Sequence, residues 1–585
     1  MKRTLRLSVA GRAVAAAIGI SLFTSLVAAQ STSPDLPPAQ SQRPGQVCAD
    51  GSRSSAAQPE VAGPLSAPAA WGSADKAACG NCGRAGCLGK GFCRFDPKMG
   101  FFALGQPHQY VPPPSGWTVI VPPIPGPKLP PKPGEKPKPT PPSPWKPMFY
   151  LNDFRYLDQP GNPYHDPFDF LKRITPTPSN NIKVDVGGEF RWQGRGEDNR
   201  RLTGEQNNFN LFREKLYLDA WYRDRFRLFI DVFWADASRQ TAPPIFFDIN
   251  HGDILNAFLE AKLFEVGEGA VLGRFGARQQ LLFGNQRLVS PLDWANSPRT
   301  FDYVANGFYR SKTLDIDGFW SRPNEILARQ FDKANSSQQF FGSYLVYKGI
   351  ANQTVDLYYL GLLESDPLVK GRNGVLGGFG VHTLGTRWQG SRENWLWELE
   401  TAYQFGNQSN LTRNAGMATG GLGRAFPKLW AKPELWFYYD YASGTQHPGE
   451  GYATFNQLFP LGHKYFGYMD IVGRQNILDP NVIMKFYPSK RLNFLLWYHH
   501  FNLASARDSL YNGAGVAIRT DPTGQAGTYV GDELDLAINL IVNPHTDWQF
   551  GVSHFWAGPY IQQTAANPAQ ARDGSFFYTQ FVFRF

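Results

Sequence analysis

The chain has 585 residues, of which 15% are aromatic and only 18% charged, against the ~25% charged residues of an ordinary soluble domain. Its 59 glycines and its mean hydropathy of −0.36 argue against a bundle of greasy helices and suit a sheet whose alternate residues meet lipid, although an all-β soluble protein can share this composition. The formal charge of +9 (58 Lys+Arg, 49 Asp+Glu) is scattered singly along the chain, without the dense basic cluster of a nucleic-acid binder, so no nucleic-acid partner is expected.

Residues 1–29 read as a secretory signal peptide. Lys2, Arg3, Arg6 and Arg12 form its positive start, Ala13 to Val27 its apolar stretch, and Val27-Ala28-Ala29 the small residues before a cut ahead of Gln30. The apolar stretch is short for a ~20-residue span, and no Cys follows the cut to carry a lipid anchor.

Residues 30–110 are a low-complexity segment that contains all five cysteines. Cys48 stands apart. Cys79, Cys82, Cys87 and Cys93 cluster in the run CGNCGRAGCLGKGFC. That cluster suits two disulfides in an oxidising compartment or a thiolate metal site, and four cysteines allow three pairings. No cofactor is assigned. Residues 111–147 are dominated by proline, which forms an extended spacer rather than sheet or helix. Residues 148–181 are a polar and aromatic lead-in.

From Ile182 to Phe585 the chain alternates with period two between clusters of turn residues. Lys183, Asp185, Gly187, Glu189 and Arg191 alternate with Val184, Val186, Gly188, Phe190 and Trp192. Arg213, Lys215, Tyr217 and Asp219 alternate with Leu216, Leu218, Ala220 and Tyr222. Arg227, Phe229 and Asp231 alternate with Leu228, Ile230 and Val232. Asn256, Phe258 and Glu260 alternate with Ala257, Leu259 and Ala261. Near the end, Phe577, Thr579, Phe581, Phe583 and Phe585 share one face. With no further apolar run long enough for a helix, a membrane is crossed only by a closed cylinder, greasy outside and ionic inside. The fold class is therefore all-β, an antiparallel transmembrane β-barrel. At ~10 residues per strand plus turns, residues 182–585 suit 16–18 strands. Gly406–Arg424 and Leu503–Gly531 read as long loops.

Three stretches resemble the alginate-export family of outer-membrane proteins. The first is GRFGARQQLLFGNQRLVSPLDWANSPRTFD (Gly273–Asp302), the second FNQLFPLGHKYFGYMDIVGRQNI (Phe455–Ile477), and the third RDSLYNGAGVAIRTDPTGQAGTYVGDELDL (Arg507–Leu536). They lie in the expected order across the barrel region. The final aromatic strand also resembles the terminal signature of bacterial outer-membrane barrels. The resemblance implies 18 strands, residence in the cell outer membrane among its lipid, and an Arg-rich constriction that passes an anionic polyuronate outward. It does not cover the first 181 residues.

Strand parity nominates the pore lining: Arg191, Arg213, Lys215, Asp219, Arg227, Asp231, Glu260, Arg274 and Arg278, with Asp315, Asp317, Glu398 and Glu400 on other polar faces. Arg287 and Arg299 fall in the first motif, a loop expected to fold inward and narrow the pore. Guanidinium pairs with carboxylate in bidentate fashion, so such a lining suits a polymer with a carboxylate on each sugar. Two other readings remain open: a general porin for small sugars or organic acids, and a structural anchor whose Pro-rich segment reaches a periplasmic or cell-wall partner. An enzyme is not expected, because no nucleophile–base grouping emerges among the ten histidines. His499 and His500 are read as one residue in and one out on a strand.

Overall fold

In the computed structural model, the described residues are 145–585 apart from 147, 370–374 and 448. The expected signal peptide, the cysteine cluster and nearly all of the Pro-rich stretch lie outside them.

Eighteen antiparallel strands close into a barrel. They are β1 (Ile182–Asp198), β2 (Gln206–Tyr222), β3 (Phe226–Ser238), β4 (Asn250–Val266), β5 (Gly269–Gln279), β6 (Phe301–Arg310), β7 (Leu314–Glu325), β8 (Gln338–Tyr347) and β9 (Gln353–Glu364). There follow β10 (Phe379–Arg392), β11 (Trp395–Gln408), β12 (Leu411–Ala425), β13 (Glu434–Ala442), β14 (Ile477–Phe486), β15 (Leu492–Asn502), β16 (Tyr529–Asn543), β17 (Thr546–Ala557) and β18 (Gly574–Arg584). Each strand pairs with its neighbours in sequence. The seam closes between β1 and β18, from Glu189 opposite Arg584 to Asp198 opposite Ser575.

The period-two pattern places the two faces as the sequence implies. On β2 and β3, Arg213, Lys215, Asp219, Arg227 and Asp231 are buried, while Leu216, Leu218, Leu228, Ile230 and Trp234 are exposed on the outer wall. With the strands paired into a closed ladder, an outer wall of exposed leucine and isoleucine suits lipid. On β18, Phe577 is exposed, and Phe576, Tyr578, Val582 and Arg584 are buried.

The two ends of the barrel differ. Residues 223–225, 267–268, 311–313, 393–394 and 544–545 make short turns at the end where β1 begins and β18 finishes. The opposite end carries 280–300, 443–476 and 503–528.

Two loop expectations change. Gly406–Arg424 is not a loop: Gly406 to Gln408 finish β11, residues 409–410 make the turn, and β12 pairs along its length with β11 and, at its far end, with β13. Its glycines answer packing. A Cβ on Gly421 would overlap the Tyr438 ring, and one on Gly423 the Trp436 ring, both presented by β13. The second loop holds through Thr528, with a small hairpin of Ser509–Tyr511 and Ala517–Thr520. Tyr529 to Gly531 already belong to β16.

The lead-in enters the short-turn end. Met148, Phe149 and Tyr150 are buried against Tyr217, Phe229 and Phe258 of the inner wall. Arg227 donates to the Tyr150 carbonyl at 2.7 Å, and the Tyr150 hydroxyl donates to the Gln280 carbonyl at 2.8 Å. Farther along, Ile174 bridges Val184, and His545 lies 2.7 Å from Asp166. Truncating a buried aromatic costs about 3–5 kcal/mol. Phe149→Ala with Tyr150→Ala is therefore expected to unseat the segment. Protease reaching the short-turn end should then cleave near residue 155 while the barrel resists. Wild-type resistance in the double variant would show that the aromatic pair does not hold it.

Candidate functional site

The lumen is built from the polar strand faces and two loops that turn into it. The loop after β5 (280–300) and the loop after β13 (443–476) meet along a short parallel ladder. Ser290 N–H donates to the Phe459 carbonyl and Phe459 N–H to the Leu288 carbonyl, both at 2.9 Å. Leu288, Val289, Trp294, Phe455, Leu461 and Phe466 are buried there, and Trp294 stacks on His463 with ring centres 3.8 Å apart. Such apolar loop residues find an anhydrous home only inside the barrel, which explains why the loops fold in.

The strands hold the first loop by its carbonyls. Arg191 donates to the carbonyls of Asp293 and Ala295 at 2.6 and 2.7 Å. Arg213 reaches Glu189 at 2.7 Å and the Asp293 carboxylate at 2.9 Å. Lys215 sits 3.2 Å from Glu189 and 4.5 Å from the Phe149 ring centre. Asn296 completes the clamp by donating to the carbonyls of Phe212, Asp236 and Asp248.

The remaining residues expected from parity all face inward, in pairs. Arg227 grips Asp219 through two bonds of 2.7 Å. Arg274 pairs with Glu260, and its guanidinium lies 4.3 Å from the Phe258 ring centre. Arg278 bridges Asp253 and Asp302. Asp231 accepts from Asn256 at 3.2 Å. Arg287, 2% exposed, lies 3.0 Å from Glu398 and 2.6 Å from Glu400. Asp315 pairs with Lys348 and Asp317 with Arg310, each at 2.7 Å. Arg299 donates to the carbonyls of Ser290 and Pro460 at 3.3 and 3.1 Å, with its guanidinium 5.5 Å from the Phe459 ring centre, and desolvation pushes it down to about 10. His499 is fully buried and 2.8 Å from Asp479, while His500 is outside beside Asp532.

Several interior cations were not singled out from the sequence. Arg387 pairs with Asp356 at 2.7 Å, and parity on β10 alone would have found it. Arg195 is bound to Gln193 and stacks over Trp294. Arg474 pairs with Asp440 at 2.7 Å from the second loop. Lys464, in the same loop, donates to the Asn285 carbonyl and side chain at 3.1 and 2.7 Å, and burial pushes its ammonium down to about 7. Loop residues have no parity, so only their place in the second motif marks these two.

The arrangement is an ion-paired wall in which some interior cations, Arg191, Arg195, Arg299, Arg413 and Lys464 among them, are bound to neutral oxygens instead of carboxylates. Below the loops a cavity of about 640 Å³ opens among Tyr150, Arg227, Glu260, Arg274, Arg310 and Asp317. Such a lumen can recognise and pass charged solutes.

The chain is similar in fold to outer-membrane proteins of known structure. OprD from Pseudomonas aeruginosa aligns at 11% identity and TM-score 0.43, covering 69% of this chain and 94% of that one. OccK8 (OprE) from the same organism aligns at 10% and 0.45, covering 69% and 98%. OccAB2 from Acinetobacter baumannii aligns at 9% and 0.45, also covering 69% and 98%. Among curated proteins, none matches in sequence. Residues 182–574 match the alginate export family, and the chain belongs to that family of outer-membrane β-barrel channels.

Proposed function

We propose that this outer-membrane channel conducts an anionic polyuronate, an alginate-like polymer, outward through its lumen. The observation that carries the reading is the set of interior cations bound to neutral oxygens, Arg191, Arg195, Arg299 and Lys464 among them. A carboxylate on a passing sugar can replace a carbonyl partner at such a cation without stranding a protein acid. The paired arginines act differently. Arg213, Arg227 and Arg287 are already neutralised, so they hold the wall and loops in place and keep the field shallow enough for release. Loss of a charge-assisted hydrogen bond is worth about 1.5–3 kcal/mol, or roughly ten-fold or more in affinity.

The test is conduction by the purified full chain in planar bilayers. Anions should pass in preference to cations, and oligouronate should block the current. Arg299→Gln with Lys464→Gln should weaken that block roughly ten-fold. Cation preference, or equal block by a neutral oligosaccharide, would count against the proposal and favour a general porin.

A further inference from the structure

The outer wall carries a feature that conduction does not use. Short turns mark the periplasmic end of such barrels, so the turn between β12 and β13 faces the inner leaflet. At eight residues, 426–433, it is longer than its neighbours at 393–394 and 487–491. It projects Leu429 and Trp430, which is 79% exposed, between Lys428 and Lys432. Ala431 and Lys432 adopt left-handed φ values of 57° and 43°, a conformation that side chains resist. The turn is braced by Tyr487 N–H donating to the Ala431 carbonyl at 2.6 Å.

Immediately above this turn the lipid-facing wall is indented. A crevice of about 470 Å³ runs between Trp388, Leu399, Leu422, Phe437 and Tyr439, with Gly420 as its floor. The register fixes its position: Leu422 lies opposite Phe437 and two residues from Arg424, which lies opposite Trp395 at the strand end. Arg424 also points outward. Its guanidinium stacks 4.7 Å from the Trp395 ring centre, and no carboxylate pairs with it among the described residues. A cation on the outer wall, at the depth where the acyl region meets the headgroups, snorkels toward them and is placed to meet an anionic one.

We infer that this crevice and rim form a binding site for one anionic glycerophospholipid of the inner leaflet. An acyl chain lies in the apolar crevice over Gly420. The phosphate is met by Arg424 and Lys428, with Lys432 beside them, and Trp430 sits among the headgroups as interfacial tryptophans do. Charge complementarity and continuity with the lipid-facing belt select this occupant over a periplasmic protein.

The experiment reconstitutes the full chain in nanodiscs containing equal amounts of phosphatidylcholine and phosphatidylglycerol. The protein is then released into detergent, and native mass spectrometry reads the retained lipid. Wild type should keep phosphatidylglycerol over phosphatidylcholine by roughly ten-fold. Arg424→Gln with Lys428→Gln should abolish that preference. Gly420→Leu should lose both lipids. A Cβ there meets Leu399 at an ordinary 3.6 Å, so the side chain fills the crevice without moving the wall. Equal retention of the two lipids by wild type, an unchanged preference in the charge variant, or full retention by Gly420→Leu would each overturn the inference. Heat-dependent gel mobility confirms that each variant is a closed barrel.

Discussion

Replacing residues 456–472 with a short Gly-Ser link raises single-channel conductance several-fold and lowers anion preference. The excised stretch contains Phe459, whose backbone pairs with Leu288 and Ser290, and buried Leu461, Phe466 and Tyr468. Their removal empties the middle of the lumen, and a barrel of this strand number encloses an aqueous channel when nothing fills it. Lys464 leaves with the loop, so the opened pore also loses one of its cations bound to neutral oxygens. The strands do not depend on the stretch, because their ladders run from neighbour to neighbour and close at β1–β18. Conductance and reversal potential in planar bilayers check both halves. Unchanged conductance would mean that the loop does not obstruct the path.

Arg287→Met has the largest expected effect on stability. Glu398 and Glu400 are both buried on β11, and the guanidinium that lies between them is 2% exposed. Its loss leaves two carboxylates facing one another in a dry interior. Removing one partner of a buried pair costs about 3–5 kcal/mol. Arg387 lies 3.7 Å from Glu398, too far to take over the role fully. The temperature at which the folded band disappears on heating should fall sharply. Adding Glu398→Gln and Glu400→Gln should restore most of the loss, since neutral amides need no counter-charge. Failure of that rescue would point to lost packing against Tyr465, 4.4 Å from the guanidinium, as the main contribution.

The parts of this molecule written in its sequence are those that lipid dictates. Arg213, Lys215, Tyr217 and Asp219 had to share a face because their neighbours Leu216 and Leu218 had to reach lipid; one period settled both. The same rule placed Arg191, Arg227, Glu260, Arg274 and Arg278 inside. β12 escaped it. Two of its glycines, Gly421 and Gly423, make room for rings on β13, and a strand whose residues are set by its neighbour looks like a turn when read alone. The interior loops escaped for a related reason. Arg287 was legible because it sits in a recognisable motif rich in aromatic and aliphatic residues. Lys464 and Arg474 had no alternation to mark them, and their partners Asn285 and Asp440 are far away in sequence.

Lys172 gives the molecule a chronology. Its ammonium donates to the carbonyl of Val186 on β1, to the Tyr217 hydroxyl on β2 at 3.1 Å, and to the carbonyl of Phe585 beyond β18 at 3.3 Å. That three-sided receptacle does not exist until the first and final strands have zipped together. A ribosome makes β18 hundreds of residues after the lead-in, so the N-terminal segment has to wait, unseated, through synthesis, export and insertion. The segment is thus seated only on a finished barrel, and a barrel caught with its seam apart has no place to hold it.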